Sequence, residues 1–308
     1  MVAWLLGAVV GLIALRMGGD LVYSLVMKRG YTRWDHSIER EPDGVRRGCR
    51  EYSIGSGNTA ILLVHGFGDS PAVYQRLAPA LADKGFACRV MRLPGCAMPM
   101  AEYCKTSGAQ WREQVATELL ALRQSHSRVV VVAHSLGAAV VREALAEHAD
   151  MADGVVLLAP LIDVCNRRSP LLPARAWYHI LDSLLLFTDR IGMVFPPDLK
   201  DPATRALMKE DRYVPRVVYR EMFALLRRNQ ARVATFRLPL LMVLGRDDLI
   251  VDNDAAVRFY RDCGAVSKQL IIAEEAGHML PLDRGWEQRV EEIAAFISGL
   301  PKKSGPGT

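Results

Sequence analysis

The sequence has no CxxC pair and no Cys/His spacing of the kind that holds zinc, although it carries six cysteines, Cys49, Cys88, Cys96, Cys104, Cys165 and Cys263. Their even number permits disulfides without arguing for them, and in a 308-residue chain such scattered thiols read as reduced core or loop residues. Charge of one sign is in little excess, with 39 Lys and Arg against 34 Asp and Glu. That surplus is nowhere gathered into a basic stripe with aromatics between, so a nucleic-acid partner is not expected. An anionic membrane surface suits the mild positive balance better. There is no internal repeat, and only the tail, residues 301–308, reads as disordered. With 50% apolar and 24% charged residues the composition is globular, which excludes collagen-like, disordered and disulfide-scaffold classes. A chain of this length can bury a large core.

From Met1 to Leu15 no residue is charged; Arg16 and Asp20 follow, then a second apolar stretch to Met27. Fifteen helical residues reach about 22 Å, short of a hydrocarbon core of about 30 Å. Continuing to Met27 gives about 40 Å but carries Arg16 and Asp20 along, which at i, i+4 can pair, or Arg16 can snorkel. We read residues 1–27 as an uncleaved membrane-anchor helix that binds membrane lipid, followed by a linker over 28–49. A cleavable signal peptide and a core helix are the rival readings, the first lacking a basic n-region and a clear small-x-small site. Lys28, Arg29 and Arg33 follow the anchor, with no basic side chain before residue 16. By the positive-inside rule this puts the body of the protein on the cytoplasmic side.

Beyond residue 50 short apolar runs alternate with helical periodicity. The runs lie at 61–64, 87–93, 129–133, 155–159, 238–244 and 269–273, most of them continuous in Val, Ile and Leu, as in strands buried on both faces of a parallel sheet. Helix-like stretches lie between them at 71–84, 108–125, 137–148, 253–263 and 284–298. Such alternation predicts an α/β fold, a mostly parallel sheet with helices on both faces. One interval, 163–232, lacks a convincing buried strand, is broken by six prolines, and holds thirteen basic against eight acidic residues. An insertion of that size at the strand ends reads as a lid, the plainer alternative being a pair of linking helices.

The run VVVVAHSLGAAVV at 129–141 is the most informative. A buried strand ends at Ala133-His134, Ser135 follows, and Leu136-Gly137 opens a helix. This small-x-Ser-x-Gly pattern is a nucleophile elbow, which lifts a serine hydroxyl above the sheet. The alternative is a structural serine capping a helix. A nucleophilic serine needs a base, and the base an orienting acid. LLMVLGRDDLIV at 240–251 ends a strand at Asp247-Asp248, and EEAGHML at 274–280 puts His278 in a loop after another strand. Asp248 is the expected orienter, with Asp247 as its alternative. The order Ser135, Asp248, His278 is that of the α/β-hydrolase sheet. The other histidines read as surface or packing residues, and His134 as the variable elbow position.

A tetrahedral intermediate needs two N–H donors aimed at its oxyanion. The residue after the nucleophile, Leu136, supplies one. The other comes from the turn His65-Gly66-Phe67-Gly68 after the first run, at Phe67, with His65 bracing the loop.

On these residues the chain resembles the α/β-hydrolase superfamily, and within it the monoacylglycerol lipase and carboxylesterase-like (serine aminopeptidase-type) group, over roughly residues 50–300. The matching pieces are HGFGDSP at 65–71, LPG at 93–95, Trp111, AHSLG at 133–137, GRDD at 245–248 and GH at 277–278. Ala133 stands where the usual elbow has Gly, and Cys96 where related sequences often have His. The resemblance implies esterase or lipase activity, no metal or organic cofactor, and a helical cap after the sixth strand, at about 163–232. The cap's apolar stretch 171–195, with Trp177, Tyr178, Phe187 and Phe195, either roofs an acyl pocket and dips into lipid or packs the cap onto the sheet. The expected function is hydrolysis of a small-molecule or lipid ester such as a monoacylglycerol or lysolipid. Acyl transfer, thioester hydrolysis and a non-catalytic binding role on the same scaffold are the alternatives.

Overall fold

The four valines at 129–132 are fully buried, and their strand is the middle one of a seven-stranded sheet. A strand covered on both faces needs no polar alternation, so the run is continuous. The computed structural model describes residues 1–193 and 196–301, the side chain of Ala3 aside. Phe195 and most of the tail expected to be disordered lie outside the described residues.

In chain order, helix α1 (Val2–Asp35) precedes strands β1 (Tyr52–Ile54) and β2 (Thr59–Val64), helix α2 (Leu77–Asp83), β3 (Ala87–Met91) and a short α3 (Met100–Tyr103). Then come α4 (Gly108–Ser125), β4 (Arg128–His134), α5 (Leu136–Glu147) and β5 (Gly154–Leu158). The insertion holds α6 (Ala174–Leu184), β6 (Arg190–Gly192), β7 (Tyr213–Pro215) and α7 (Arg216–Gln230). The chain closes with β8 (Leu240–Gly245), α8 (Asn253–Asp262), β9 (Lys268–Ala273) and α9 (Trp286–Gly299).

The sheet order is β1-β3-β2-β4-β5-β8-β9. All neighbours run parallel except β1, which is antiparallel to β3. The chain leaves β2 toward β3 on one side and returns to β4 on the other. The loops after β2 and β4 therefore part at the crevice where open α/β sheets bind ligands. α4 is started by a capping box between Ser107 and Gln110, worth about 1 kcal/mol for such a cap. Trp111 on its first turn is fully buried and donates to the Pro94 carbonyl at 3.1 Å, which ties the LPG turn to the helix.

Four expectations need correction. The edge strands β1 and β9 are only partly buried, because among the described residues each pairs on one side only; β1 is too short to stand out in sequence. The 163–232 interval contains one two-stranded ribbon, β6 with β7. The cap follows the fifth strand of this chain, not the sixth, since one strand only lies outside β3. Residues 40 and 46 form an isolated bridge that belongs to neither sheet. Finally, 28–49 is not a free linker. α1 continues to Asp35, and Val45 and Cys49 form a small buried cluster with Ala97.

Nor do Arg16 and Asp20 pair with each other. Arg16 donates to the carbonyls of Ser183 and Leu184 at the end of α6, where a cation suits the unsatisfied carbonyl end of a helix. Asp20 is buried and accepts from the Leu186 and Phe187 N–H groups and from the Thr188 hydroxyl. Ser24 donates to the Phe187 carbonyl at 2.9 Å. Residues 16, 20 and 24 share one helical face, so the polar interruption of an apolar helix is the stripe on which the cap sits.

Candidate active site

β4 ends at His134 and α5 begins at Leu136, leaving one residue for the turn between them. That residue, Ser135, has φ 52° and ψ −119°, a conformation L-residues rarely adopt and one held here by its surroundings. Its N–H donates to the Leu158 carbonyl at 3.1 Å, and its own carbonyl accepts from Leu161 N at 3.1 Å. Two residues on, a Cβ at Gly137 would stand 2.4 Å from the Val64 carbonyl oxygen and 2.5 Å from that of His65. Only glycine lets α5 start so close to the end of β2.

His278 Nε2 lies 2.9 Å from Ser135 Oγ, and His278 Nδ1 lies 2.8 Å from Asp248 Oδ2. Asp248 is fully buried, and Ser135 and His278 are only 4% and 6% exposed, so the line of three groups is shielded from bulk water. Burial alone pushes the Asp248 carboxyl up, but the His278 charge and hydrogen bond and the N–H groups of Val251 and Ile250 bring it below its ordinary value. Burial likewise pulls His278 down, and it is overcome by Asp248, then by Asp198 and Glu210, so the imidazole binds its proton more tightly than usual. Asp247, the alternative acid, faces outward and accepts from Lys200 Nζ at 2.9 Å.

The loop after β2 faces the elbow. His65 is fully buried; its Nε2 accepts from Leu93 N at 3.0 Å and its Nδ1 donates to the Gly66 carbonyl at 3.0 Å. Burial pushes it down to about 4, which suits a neutral brace rather than a proton carrier. The Phe67 ring meets Tyr219 of α7 edge-on at 4.8 Å, and the Gly68 carbonyl accepts from Asp211 N at 2.7 Å. The loop comes closest to the elbow at Gly66, where an added Cβ would stand 2.9 Å from Ser135 Cβ; Phe67 is the next residue, and Leu136 follows Ser135 on the first turn of α5. A cleft of about 450 Å³ elsewhere, lined by Glu51, Arg89, Arg92 and Lys105 among others, contains none of these residues.

A family model described as serine aminopeptidase, S33 matches residues 56–285. The chain belongs to that family. Among curated relatives of this S33-family chain is a thermostable monoacylglycerol lipase of Bacillus sp. (strain H-257), 23% identical over 254 residues, 82% of this chain and 96% of the relative. Among solved structures, a metagenome-derived lipolytic enzyme from the LipS and LipT study superposes with TM-score 0.73 at 19% identity, covering 82% of this chain and 99% of the other. A monoacylglycerol lipase of Paleococcus ferrophilus superposes with TM-score 0.66 at 20% identity, covering 80% and 98%. The fold is that of the α/β-hydrolases.

Two residues of this α/β-hydrolase were not legible as site residues. His134 is buried with Nε2 2.9 Å from the His278 carbonyl and its ring 4.8 Å from the His278 ring. Burial, then the His278 charge, pushes it down to about 3, so it donates a hydrogen bond as a neutral ring. Its place beside the nucleophile was the available signal. Asp198, in the cap, contacts the backbone beside both Asp248 and His278, and no sequence signal marks it.

Proposed function

We propose that the chain is a membrane-associated serine hydrolase that cleaves carboxylic esters of acyl chains, such as monoacylglycerols or lysolipids. The observation that carries the proposal is the continuous hydrogen-bonded line Ser135 Oγ, His278 Nε2, His278 Nδ1, Asp248 Oδ2 at a strained elbow. Ester hydrolysis accords with the monoacylglycerol lipase, esterase and carboxylesterase names of the curated relatives.

In this reading His278 Nε2 takes the Ser135 proton as Oγ attacks the ester carbonyl, and Asp248 fixes the tautomer and stabilises the imidazolium. The N–H groups of Phe67 and Leu136 hold the oxyanion, each worth about 2.7–4 kcal/mol at the transition state. His278 then protonates the leaving alcohol, and a water activated by the same imidazole releases the acid from Ser135.

The lipid part of the reading rests on apolar surface. α1 is long and apolar enough to cross a membrane by length and composition, and its free side chains from Trp4 to Leu15 are mostly exposed. Beside its docked half, the cap exposes Leu171, Leu181, Leu184, Leu186 and Phe187. Such a patch on a soluble surface marks an interaction site, and lipid is the occupant that suits an apolar helix next to it. Lys28, Arg29 and Arg33 support a cytoplasmic position for the hydrolase body.

The test is hydrolysis of p-nitrophenyl esters from acetyl to palmitoyl by the full chain in lipid vesicles, beside Ser135→Ala. Activity that disappears in the variant, with an optimum at long chains, is expected. A short-chain optimum removes the lipid part, and equal inertness of both proteins removes the esterase reading.

A further inference from the structure

A single carboxylate oxygen in the cap touches the backbone on both sides of the proposed relay. Asp198 Oδ2 accepts from Leu249 N at 3.0 Å, the residue after Asp248, and from His278 N at 3.1 Å. Its approach is close: a Cβ at Gly277 would meet the Asp198 carboxylate at 3.0 Å, which gives the glycine of the GH pair its reason. The side chain is buried, with Arg168 Nη2 3.7 Å from the other oxygen. The flanking cap residues are tied to the loop after β9 as well, since Lys200 N and Asp201 N both donate to Asp283, at 2.6 and 2.9 Å. The acid loop after β8 and the base loop after β9 come from different strands. Two backbone bonds join them just past the strand ends, Arg246 N to the Ala273 carbonyl at 3.0 Å and Asp247 N to the Ala276 carbonyl at 3.3 Å; at Leu249 and His278, farther along, the joining acceptor is the Asp198 carboxylate.

We propose that Asp198 is a positioning residue: from the cap, its carboxylate clamps the Asp248 loop to the His278 loop and so holds the imidazole at its working distance from both partners. The inference rests on the proposed roles of Ser135, Asp248 and His278. Asp198 acts through two backbone N–H groups, those of Leu249 and His278, which a carboxylate satisfies with strong charge-assisted bonds. Its charge also acts on the ring. The groups facing His278 are Asp248 from the β8 loop, Asp198 and Glu210 from the cap, and His134 from the elbow. Asp198 therefore contributes to the proton affinity of the base as well as to its place.

The experiment compares Asp198→Ala and Asp198→Asn with the wild type in the full-length chain, using p-nitrophenyl butyrate across pH. Active sites are counted by fluorophosphonate labelling, and folding is followed by thermal unfolding. Per labelled site, Asp198→Ala is expected to lose about 10²-fold in kcat with KM little changed, as for a small misplacement of a catalytic group. Asp198→Asn keeps an acceptor without the charge. It is expected to recover most of that kcat at alkaline pH and to move the acid limb of kcat/KM to lower pH. Wild-type kcat and an unmoved limb in both variants overturn the proposal. So does a loss in Asp198→Ala that disappears on counting labelled sites, which is what a merely structural residue gives. If the wild type hydrolyses no ester yet is labelled at Ser135, the ester reading falls, and the labelling rate of the two variants decides the role of Asp198. Absence of labelling in the wild type overturns both.

Discussion

The Asp20 carboxylate accepts the Thr188 hydroxyl at 2.6 Å, across 168 residues of chain, and so fastens the N-terminal helix to the cap. The same carboxylate takes the Leu186 and Phe187 N–H groups. Asp20→Ala leaves those donors without a partner in a shielded place, at a cost on the order of 1–3 kcal/mol. We expect faster hydrogen exchange over residues 184–190 and a lower midpoint of thermal unfolding in the full chain, with Asp20→Asn intermediate. Unchanged exchange over that segment would show that the latch bears no weight.

Gly137→Ala tests the elbow. The added methyl meets two backbone carbonyl oxygens, those of Val64 and His65, which cannot turn aside as a side chain would. Overpacking of this sort costs about 1–3 kcal/mol, and here it pushes α5 away from β2 and displaces Leu136 N. Loss of fluorophosphonate labelling in the folded, soluble fraction is the expected readout.

With His278 as the proposed base, the acid limb of the pH profile follows from its proton affinity. Its folded-state proton affinity is raised, by the Asp248 charge and bond acting against burial. A protonated imidazole cannot take the Ser135 proton, so kcat/KM should fall about tenfold per pH unit below that pKa. We expect the limb's midpoint above the ordinary histidine value of about 6.5. Asp248→Asn removes the negative partner, so the limb should move to lower pH while kcat drops by about 10⁴-fold, as in the type case of such triads.

Stability should respond to pH through Asp211. Burial pushes this carboxyl up to about 7, against the Ala97 N–H bond and the charges of Arg46 and Arg40 that pull it down. A raised folded pKa means its contribution is fully present below the unfolded pKa of about 3.9 and is lost as pH rises through the folded value. Asp211→Asn keeps an acceptor for Ala97 N without that titration. Its unfolding midpoint should match the wild type near pH 4, rise above it progressively to pH 7, and stay above it at pH 8. Parallel curves at every pH would contradict this.

Much of the site was legible because each part sits where a periodic strand stops. Four valines, a histidine, a serine and a glycine spell the elbow, since only a buried strand tolerates that run and only glycine fits two residues past the turn. The sequence favoured Asp248 over Asp247 as the orienting acid but left the second open. Adjacent residues point in different directions, and only the chain's course after β8 sends Asp247 to Lys200 and Asp248 to His278. His134 looked like filler for a related reason: its partner is a carbonyl 144 residues away.

Within the N-terminal segment, the partners of Arg16 and Asp20 were not legible. Arg16 and Asp20 at i, i+4 invite a local pair, yet Arg16 reaches the carbonyls at the end of α6 and Asp20 the N–H groups of the segment that follows it. A helix end has unsatisfied backbone groups that no sequence pattern assigns to a distant partner.

By itself, then, the sequence determined the parallel α/β sheet, the elbow, and the order of serine, acid and histidine, because burial periodicity and turn chemistry are local properties. The exclusion of Asp247, the seating of the cap on α1, and the bridge from Asp198 to two loops were decided only by tertiary structure. Those contacts join residues far apart in the chain, and their energy depends on burial that exists only once the sheet, the cap and the N-terminal helix have come together.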